Sequence, residues 1–287
     1  MIAKRDKNVI ISFIIPSFNR AHCILNAIES VTNQSGQNWE LIIIDDGSTD
    51  TTSLIIQEYL EDLRIKYYMQ DNRGVSAARN LGAEYAEGDF LIFLDSDDYF
   101  EPDLIEILKK ENFTDYDIVS WQVLKNIDGK ETIWKPVQLD GLYNNITASF
   151  LAGSVCYKKE VFFKVGSFDP KIKFGENYEL GIRIANLQGL RIKLINKVFL
   201  KYNLNPRERE SNSFDNRLSS HLHQLDKHKE LYESQPKILS GMYYLIGFVF
   251  EKQGDIGSAN EFYQNSWKTN RSNLKAFLKT VYLKFLR

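Results

Sequence analysis

Asp95, Asp97 and Asp98 stand together in Asp95-Ser96-Asp97-Asp98, directly after the apolar run Phe90–Leu94. Hard carboxylate oxygens grouped this way suit Mg²⁺ or Mn²⁺ together with phosphate oxygens. The same residues also suit a solvated turn whose acids cap a helix starting near Pro102. A phosphatase D-x-D-x-Thr/Val nucleophile fits less well, because Tyr99 holds the last position. A second acidic cluster, Asp45-Asp46-Gly47-Ser48-Thr49-Asp50, follows Leu41–Ile44. A carboxylate there can accept from a nucleobase N–H or a ribose hydroxyl; the plain alternative is an Asp-Gly turn with a helix cap. The third stretch is Asn72-Arg73-Gly74-Val75-Ser76-Ala77-Ala78-Arg79-Asn80. Gly74 lets a ligand approach the backbone at a helix start. Arg79, one turn on, is either a half-buried cation beside that ligand or one half of an ordinary surface ion pair.

These clusters need elements to hold them. Val9–Ile15, Leu41–Ile44, Ile65–Tyr68 and Phe90–Leu94 read as strands, the first two apolar throughout and so buried on both faces. Pro16-Ser17-Phe18-Asn19 ends the first. Ile24, Leu25, Ile28 and Val31 recur at helical spacing, as do Leu54, Ile55 and Tyr59, with Ser48, Thr49 and Asp50 as N-cap oxygens. Gly74 to Ala86 reads as a third helix. Alternating βα units predict a parallel, doubly wound α/β sheet. Ligands bind such sheets outside the carboxyl ends of the strands. The polar clusters Pro16–Arg20, Asp45–Asp50 and Asp95–Asp98 each follow a strand, so all three are expected on one sheet edge. Further on, Ile118–Val123 and Leu190–Val198 look like strands, and Trp121 and Trp134 are either core aromatics or platforms for a sugar ring. Asn203 to Asn216 reads as a mobile polar loop, and the chain is helical from Arg217.

Composition sets outer bounds. The 287 residues are 43% hydrophobic and 26% charged, ordinary for a globular protein. With 36 basic and 38 acidic side chains there is no basic surplus for nucleic acid. Cys23 and Cys156 make no disulfide framework and suggest a reducing compartment. No signal-peptide pattern follows Met1, and Gly241 to Phe250 is too short to span a bilayer. A cytoplasmic protein is expected, its four Asn-x-Ser/Thr sequons being chance matches. A nucleotidyltransferase is disfavoured, since no Gly-rich triphosphate loop follows Val9–Ile15.

Taken in order and spacing, the motifs resemble the family 2 glycosyltransferases of the GT-A fold, bacterial type. The matching stretches are Ser12–Arg20, Glu40–Asp50, Asn72–Gly82 and Phe93–Asp98. The resemblance is dense over residues 9–100 and thinner to about 202. It implies a GT-A mixed sheet flanked by helices, with a nucleotide-sugar half (1–100), an acceptor-side half (101–205) and a helical C-terminal extension (206–287). It implies that Pro16, Phe18 and Arg20 line a nucleoside pocket with Gly74, that Asp46 bonds the base, and that Arg79 lies beside the nucleotide. Asp95, with Ser96, would meet the ribose. Asp97, with Asp98 as a helper, would bind Mn²⁺ or Mg²⁺. The implied reaction is metal-dependent, inverting transfer from a UDP-sugar to a hydroxyl of a glycan or lipid-linked glycan.

A later segment, Phe174-Gly175-Glu176-Asn177-Tyr178-Glu179-Leu180, looks like the acceptor side of that family, which usually reads Glu-Asp where this chain reads Glu176-Asn177. That Asp is the family's usual general base, and an amide cannot take the proton. Glu176 is the nearest remaining carboxylate and the preferred base, with Glu179 as an alternative. A third reading is a non-catalytic nucleotide-sugar-binding or scaffolding relative. Arg207 and Arg209 would sit on a mobile loop over the diphosphate, or simply pair with Glu208 and Glu210. His221, His223 and His228 invite a metal site, but no zinc spacing is complete.

Residues 244–272 place Gly247, Gly254, Ala259 and Tyr263 as in a single tetratricopeptide unit. A last helix carries Leu274, Phe277, Leu278, Val281, Tyr282, Phe285 and Leu286 on one face, and six basic residues but no acid follow Glu261. This face either caps the preceding hairpin or lies on the inner membrane surface as a peripheral contact.

Overall fold

The computed structural model describes residues 10–127, 129–204 and 213–284. The first hundred residues alternate strictly. Strand β1 (Ile11–Ser17), helix α1 (Ile24–Thr32), β2 (Trp39–Asp45), α2 (Thr52–Gln57), β3 (Ile65–Met69), α3 (Val75–Tyr85) and β4 (Phe90–Phe93) follow one another. Strands β3, β2, β1 and β4 are neighbours in that order, and they run parallel, as the βα pattern predicts. Strands β1 and β2 are buried along their whole length, so they are mainly apolar, and the buried Ser12 hydroxyl within them donates to Glu40. Edge strand β3 is only partly buried.

Val9 lies outside the described residues; the first strand runs from Ile11 through Pro16 to Ser17, beyond the Ile15 end that its apolar run suggests. A proline inside a central strand is tolerated here for a specific reason. The carbonyl of Ile14 accepts from Leu94 N–H on the β4 side. Two residues on, Pro16 faces that same side, where β4 has already ended, so its missing N–H leaves no ladder bond unmade.

Beyond β4 the sheet becomes mixed. β5 (Tyr99–Phe100), α4 (Leu104–Lys110), β6 (Ile118–Ile127), β7 (Lys130–Trp134) and the short pair β8 (Val137–Gln138) and β9 (Thr147–Ala148) come next. β10 (Val155–Lys158), α5 (Lys159–Lys164), α6 (Glu176–Ala185) and β11 (Ile192–Leu204) complete this half. β10 runs antiparallel between β4 and β6, and β11 lies parallel to β6 with β5 on its far edge. β11 extends into the stretch read as loop, since Asn203 and Leu204 pair with Asn126 and Ile127.

Each sheet face carries its own core. One gathers Ile24, Ile28 and Leu104 over Phe13 and Ile43; the other gathers Ala78, Phe162 and Leu180 over Ile14 and Phe93. Gly82 lets α3 lie on the second face, because a β-carbon there would sit 2.5 Å from Ile14 Cγ2. Trp121 is a core residue, fully buried with its indole N–H donating to Gly153 carbonyl at 2.9 Å. Trp134 lies on exposed β7 under the Lys125 ammonium.

The C-terminal part is helical: α7 (Phe214–Lys227), α8 (Lys229–Glu233), α9 (Pro236–Lys252), α10 (Ile256–Thr269) and α11 (Leu274–Lys284). Leu239, Met242 and Ile246 pack with Ile182 of α6 and with Leu142. α9 and α10 form an antiparallel hairpin that turns at Gly254, whose φ is 85°. Close approach is made by Gly247 against Tyr263 and by the buried hydroxyls of Ser240 and Ser266, 3.1 Å apart. α11 packs inward through Ala276, Thr280 and Leu283, leaving Leu274 and Leu278 65% and 63% exposed. No helix of the described residues is long and apolar enough to cross a membrane.

Candidate functional site

The strand ends converge as expected. They form one wall of a cleft of about 660 Å³, and residues 170–176 with Asn216 form the other. Pro16, Phe18 and Arg20 line it, as do Asp46, Gly74, Arg79, Asp95, Ser96, Asp97 and Glu176.

The loop after β1 is tied to the loop after β2. Asn19, at φ 53°, accepts at Oδ1 from Thr49 N–H at 2.8 Å and donates its own N–H to Ser48 Oγ at 2.8 Å. Arg20 and Ala21 N–H donate to Thr52 Oγ1 and Asp50 Oδ2. Ser48, Thr49 and Asp50 were expected as helix caps. The N-cap of α2 is instead Thr51, with no side-chain cap bond. Asp50 still serves the helix start, its Oδ1 accepting from the first N–H of α2, that of Thr52, at 3.0 Å, while Ser48 Oγ and Asp50 Oδ2 also serve the neighbouring loop, whose irregular backbone has unmet N–H groups.

Asp46 performs similar work one strand further. Its buried carboxylate accepts from Arg73 N–H at 2.8 Å, from Gly74 N–H at 2.7 Å and from the Gln70 amide. Three of roughly four acceptor positions on a carboxylate are thus used by the turn that starts α3. Gly74 is the N-cap of that helix at φ 87°, a conformation glycine takes without strain.

Arg79 is the pivot of the site. Its side chain is 2% exposed, and it donates to Asp95 Oδ1 at 2.6 Å and to Glu176 Oε1 at 2.8 Å. The two carboxylates come from β4 and α6, so one buried guanidinium joins the cleft floor to the second wall. Burial disfavours its charge, but Asp95 and Glu176 offset this and hold its pKa above the usual arginine value. The Phe168 ring lies 5.3 Å from the guanidinium carbon, and Phe168 is itself gripped by the Asn80 side chain through both backbone groups.

Asp95, Asp97 and Asp98 each offer an oxygen within 4.8 Å of the others. Three hard donors this close fit Mg²⁺ or Mn²⁺, both of which prefer carboxylate and water oxygens. Among the described residues no other His, Cys, Asp or Glu group gathers in this way. The histidines are used otherwise. His223 meets Asp169 at 3.0 Å, His228 meets Glu179 at 2.8 Å, and His221 packs edge-on to Phe174.

Glu176 opens α6, where a carboxylate is favoured by the helix dipole. Its Oε1 accepts from both Arg79 and the Asn177 amide, the latter at 3.1 Å. Asn177 does not line the cleft. Glu179 is fully buried on another side of α6, bonded to Arg183, Lys227 and His228. Burial works against its charge, yet His228 and Arg183 bring its pKa down to about 2. It does not line the cleft and is set in ion pairs, so it is unsuited to act as the base. Arg207 and Arg209 lie outside the described residues.

Pro170, Ile172, Lys173 and Asn216 line the cleft without having been marked by any motif. They come from a loop and a helix start, where no periodicity signals what the side chains face.

Residues 12–199 match the family described as Glycosyl transferase family 2. An uncharacterized glycosyltransferase of Rickettsia felis is 37% identical over 182 residues, which is 61% of this chain and 30% of that protein. The chain spans less than a third of the length of the curated relatives it first matches. In structure it is similar to S. aureus TarS 1-349 in complex with UDP, with a TM-score of 0.68 at 18% identity over 96% of this chain and 88% of that one. The same TarS fragment in complex with UDP-GlcNAc gives 0.67 at 18% identity, over 96% and 89%. That likeness shows the α/β GT-A fold.

Proposed function

The chain belongs to glycosyl transferase family 2, and from that premise we propose that it moves a sugar from a UDP-sugar to a hydroxyl of a glycan or lipid-linked glycan, with inversion. The observation that carries this reading is the Arg79 bridge, which brings the acidic strand end and Glu176 to one cleft. The uridine would sit in the first wall against Phe18, whose ring is 39% exposed, with Pro16 and Arg20 beside it and Asp46 and Gly74 at its edge. Asp95 and Ser96 would face the ribose. UDP as the carrier is supported by the TarS complexes with UDP and UDP-GlcNAc.

Asp97, with Asp98 as a helper, would hold Mn²⁺ or Mg²⁺. Such an ion, when bound, supplies positive charge to a departing diphosphate. Glu176 would take the acceptor proton. Its Oε1 is held by Arg79 and Asn177, while Oε2 has no hydrogen-bond partner among the described residues. One oxygen fixes the carboxylate, and the other is open to a hydroxyl. Arg79 would keep Asp95 and Glu176 in place without itself moving a proton.

Asn177 favours a second reading, a relative that binds nucleotide sugar without turning it over, because the family's usual Asp is replaced. The exposed face of α11, with Lys275 beside Leu274 and Leu278, would rest on an anionic membrane surface.

The first experiment is the thermal midpoint with UDP, GDP and CDP, each with and without Mn²⁺. A ligand that binds only the folded chain raises the midpoint. A Mn²⁺-dependent rise with UDP that Asp97→Ala abolishes is expected. Equal shifts in the variant and the wild type would overturn the metal assignment, and no shift with any nucleotide would overturn the donor site.

A further inference from the structure

The second wall of the cleft is mounted on the C-terminal helices. Ser220 of α7 is fully buried, and its Oγ accepts from the N–H groups of both Lys173 and Phe174 at 3.0 Å. Phe174 is held between Arg217, 4.7 Å from its ring, and His221, edge-on at 5.8 Å. Ile172 is fully buried. A loop would ordinarily be mobile, but this one is fixed on both sides of Lys173.

The Lys173 side chain is exposed and lines the cleft three residues before Glu176. Among the described residues it has no carboxylate partner. Arg79, by contrast, is committed to Asp95 and Glu176. Among the described residues, Lys173 is the cation that the second wall supplies to the lining. The same cleft is lined by the carboxylates of Asp95 and Asp97, which repel an anion unless positive charge intervenes.

We propose that Lys173 binds the donor's diphosphate from the second wall, and that Ser220 is the positioning residue that mounts it there. The inference rests on the UDP-sugar reading above. With uridine on the first wall and the acceptor at Glu176, the diphosphate lies between the two walls. An ammonium there, carried on a backbone that Ser220 holds, gives a charge-assisted contact that the nucleoside alone cannot use. The C-terminal helices thereby become part of the donor site.

The test is calorimetric titration of the full chain with UDP and with uridine, both with Mn²⁺, for wild type, Lys173→Gln, Lys173→Arg and Ser220→Ala. Lys173→Gln is expected to weaken UDP binding about tenfold to a hundredfold, the range of one hydrogen bond to a charged group. Uridine binding should be unchanged. Lys173→Arg should restore most of the UDP affinity. Ser220→Ala should weaken UDP by a few-fold and leave uridine alone, with an unchanged midpoint excluding general unfolding. Equal UDP affinity in wild type and Lys173→Gln would overturn the assignment while leaving the UDP reading intact. Equal losses for UDP and uridine would also overturn it, since a diphosphate contact cannot act on the nucleoside. A wild type that binds uridine and UDP alike, or neither, would remove the donor reading and this inference with it.

Discussion

At the scale of single residues, the chemistry turns on how one arginine divides two carboxylates. Arg79 holds Asp95 toward the acidic cluster and Glu176 toward the second wall. The bond from Asn177 to the same oxygen that meets Arg79 leaves Glu176 with one open oxygen. If Glu176 takes the acceptor proton, Glu176→Gln keeps the shape and the bond to Arg79 but loses the base. Turnover should fall by about 10² to 10⁴, the usual worth of a positioned base, while UDP affinity is kept. Turnover is read with the UDP-sugar that shifts the midpoint most. Wild-type rates in Glu176→Gln would assign the base elsewhere, and a large gain in Asn177→Asp would mark this chain as having lost it. The acids and Arg79 were legible in the sequence by type and spacing. The Asn177 amide was legible only as a departure; that it turns onto Glu176 is a matter of rotamers and distance.

At the scale of elements, α6 and α7 are joined by an ion cluster around the fully buried Glu179. Glu179 is met by Arg183, Lys227 and His228, and Asp169 by Lys227 and His223. Glu179 has a pKa lowered from 4.5 to about 2. A carboxylate held low in the folded chain stabilises fully above its unfolded pKa, and that stability is lost as pH falls through the folded one. Glu179 therefore contributes fully above pH 4.5 and loses its contribution progressively toward pH 2. Glu179→Gln should cost about 3 kcal/mol at pH 7, because it breaks ion pairs made by a buried carboxylate. The gap between variant and wild type should close as pH falls over that window, as measured by urea midpoints. A gap that stays constant with pH would mean Glu179 contributes by packing alone. The Glu179-to-Arg183 spacing is readable along one helix, but its partners on α7 are not, since they come from about fifty residues further on.

At the scale of the whole molecule, a parallel half, an antiparallel insert and a helical extension meet at one cleft. The extension presents a second surface on α11, where Leu274, Leu278, Val281 and Tyr282 are exposed on one side. If this surface rests on lipid, the chain should sediment with vesicles containing anionic lipid and be released by salt. Leu278→Asp should abolish sedimentation and leave the thermal midpoint unchanged, as is usual for exposed positions. Equal sedimentation of the variant would rule this face out.

By itself the sequence determined the first four strands, their parallel direction and the carboxyl-end position of three polar clusters. It could do so because apolar periodicity and strand-end motifs are local, and parallel βα units have one favoured handedness. It also determined the family, through motifs in register over the first hundred residues. Only the tertiary structure decided the second wall. Pro170, Lys173 and Asn216 carry no periodic signal, and Ser220 reaches the cleft by binding two backbone N–H groups across 47 and 46 residues. The bonds of Ser48 and Asp50 to the β1 loop and the partners of Glu179 were likewise decided there. A polar side chain bonds whichever unmet donor folding brings near, and sequence spacing does not record that distance.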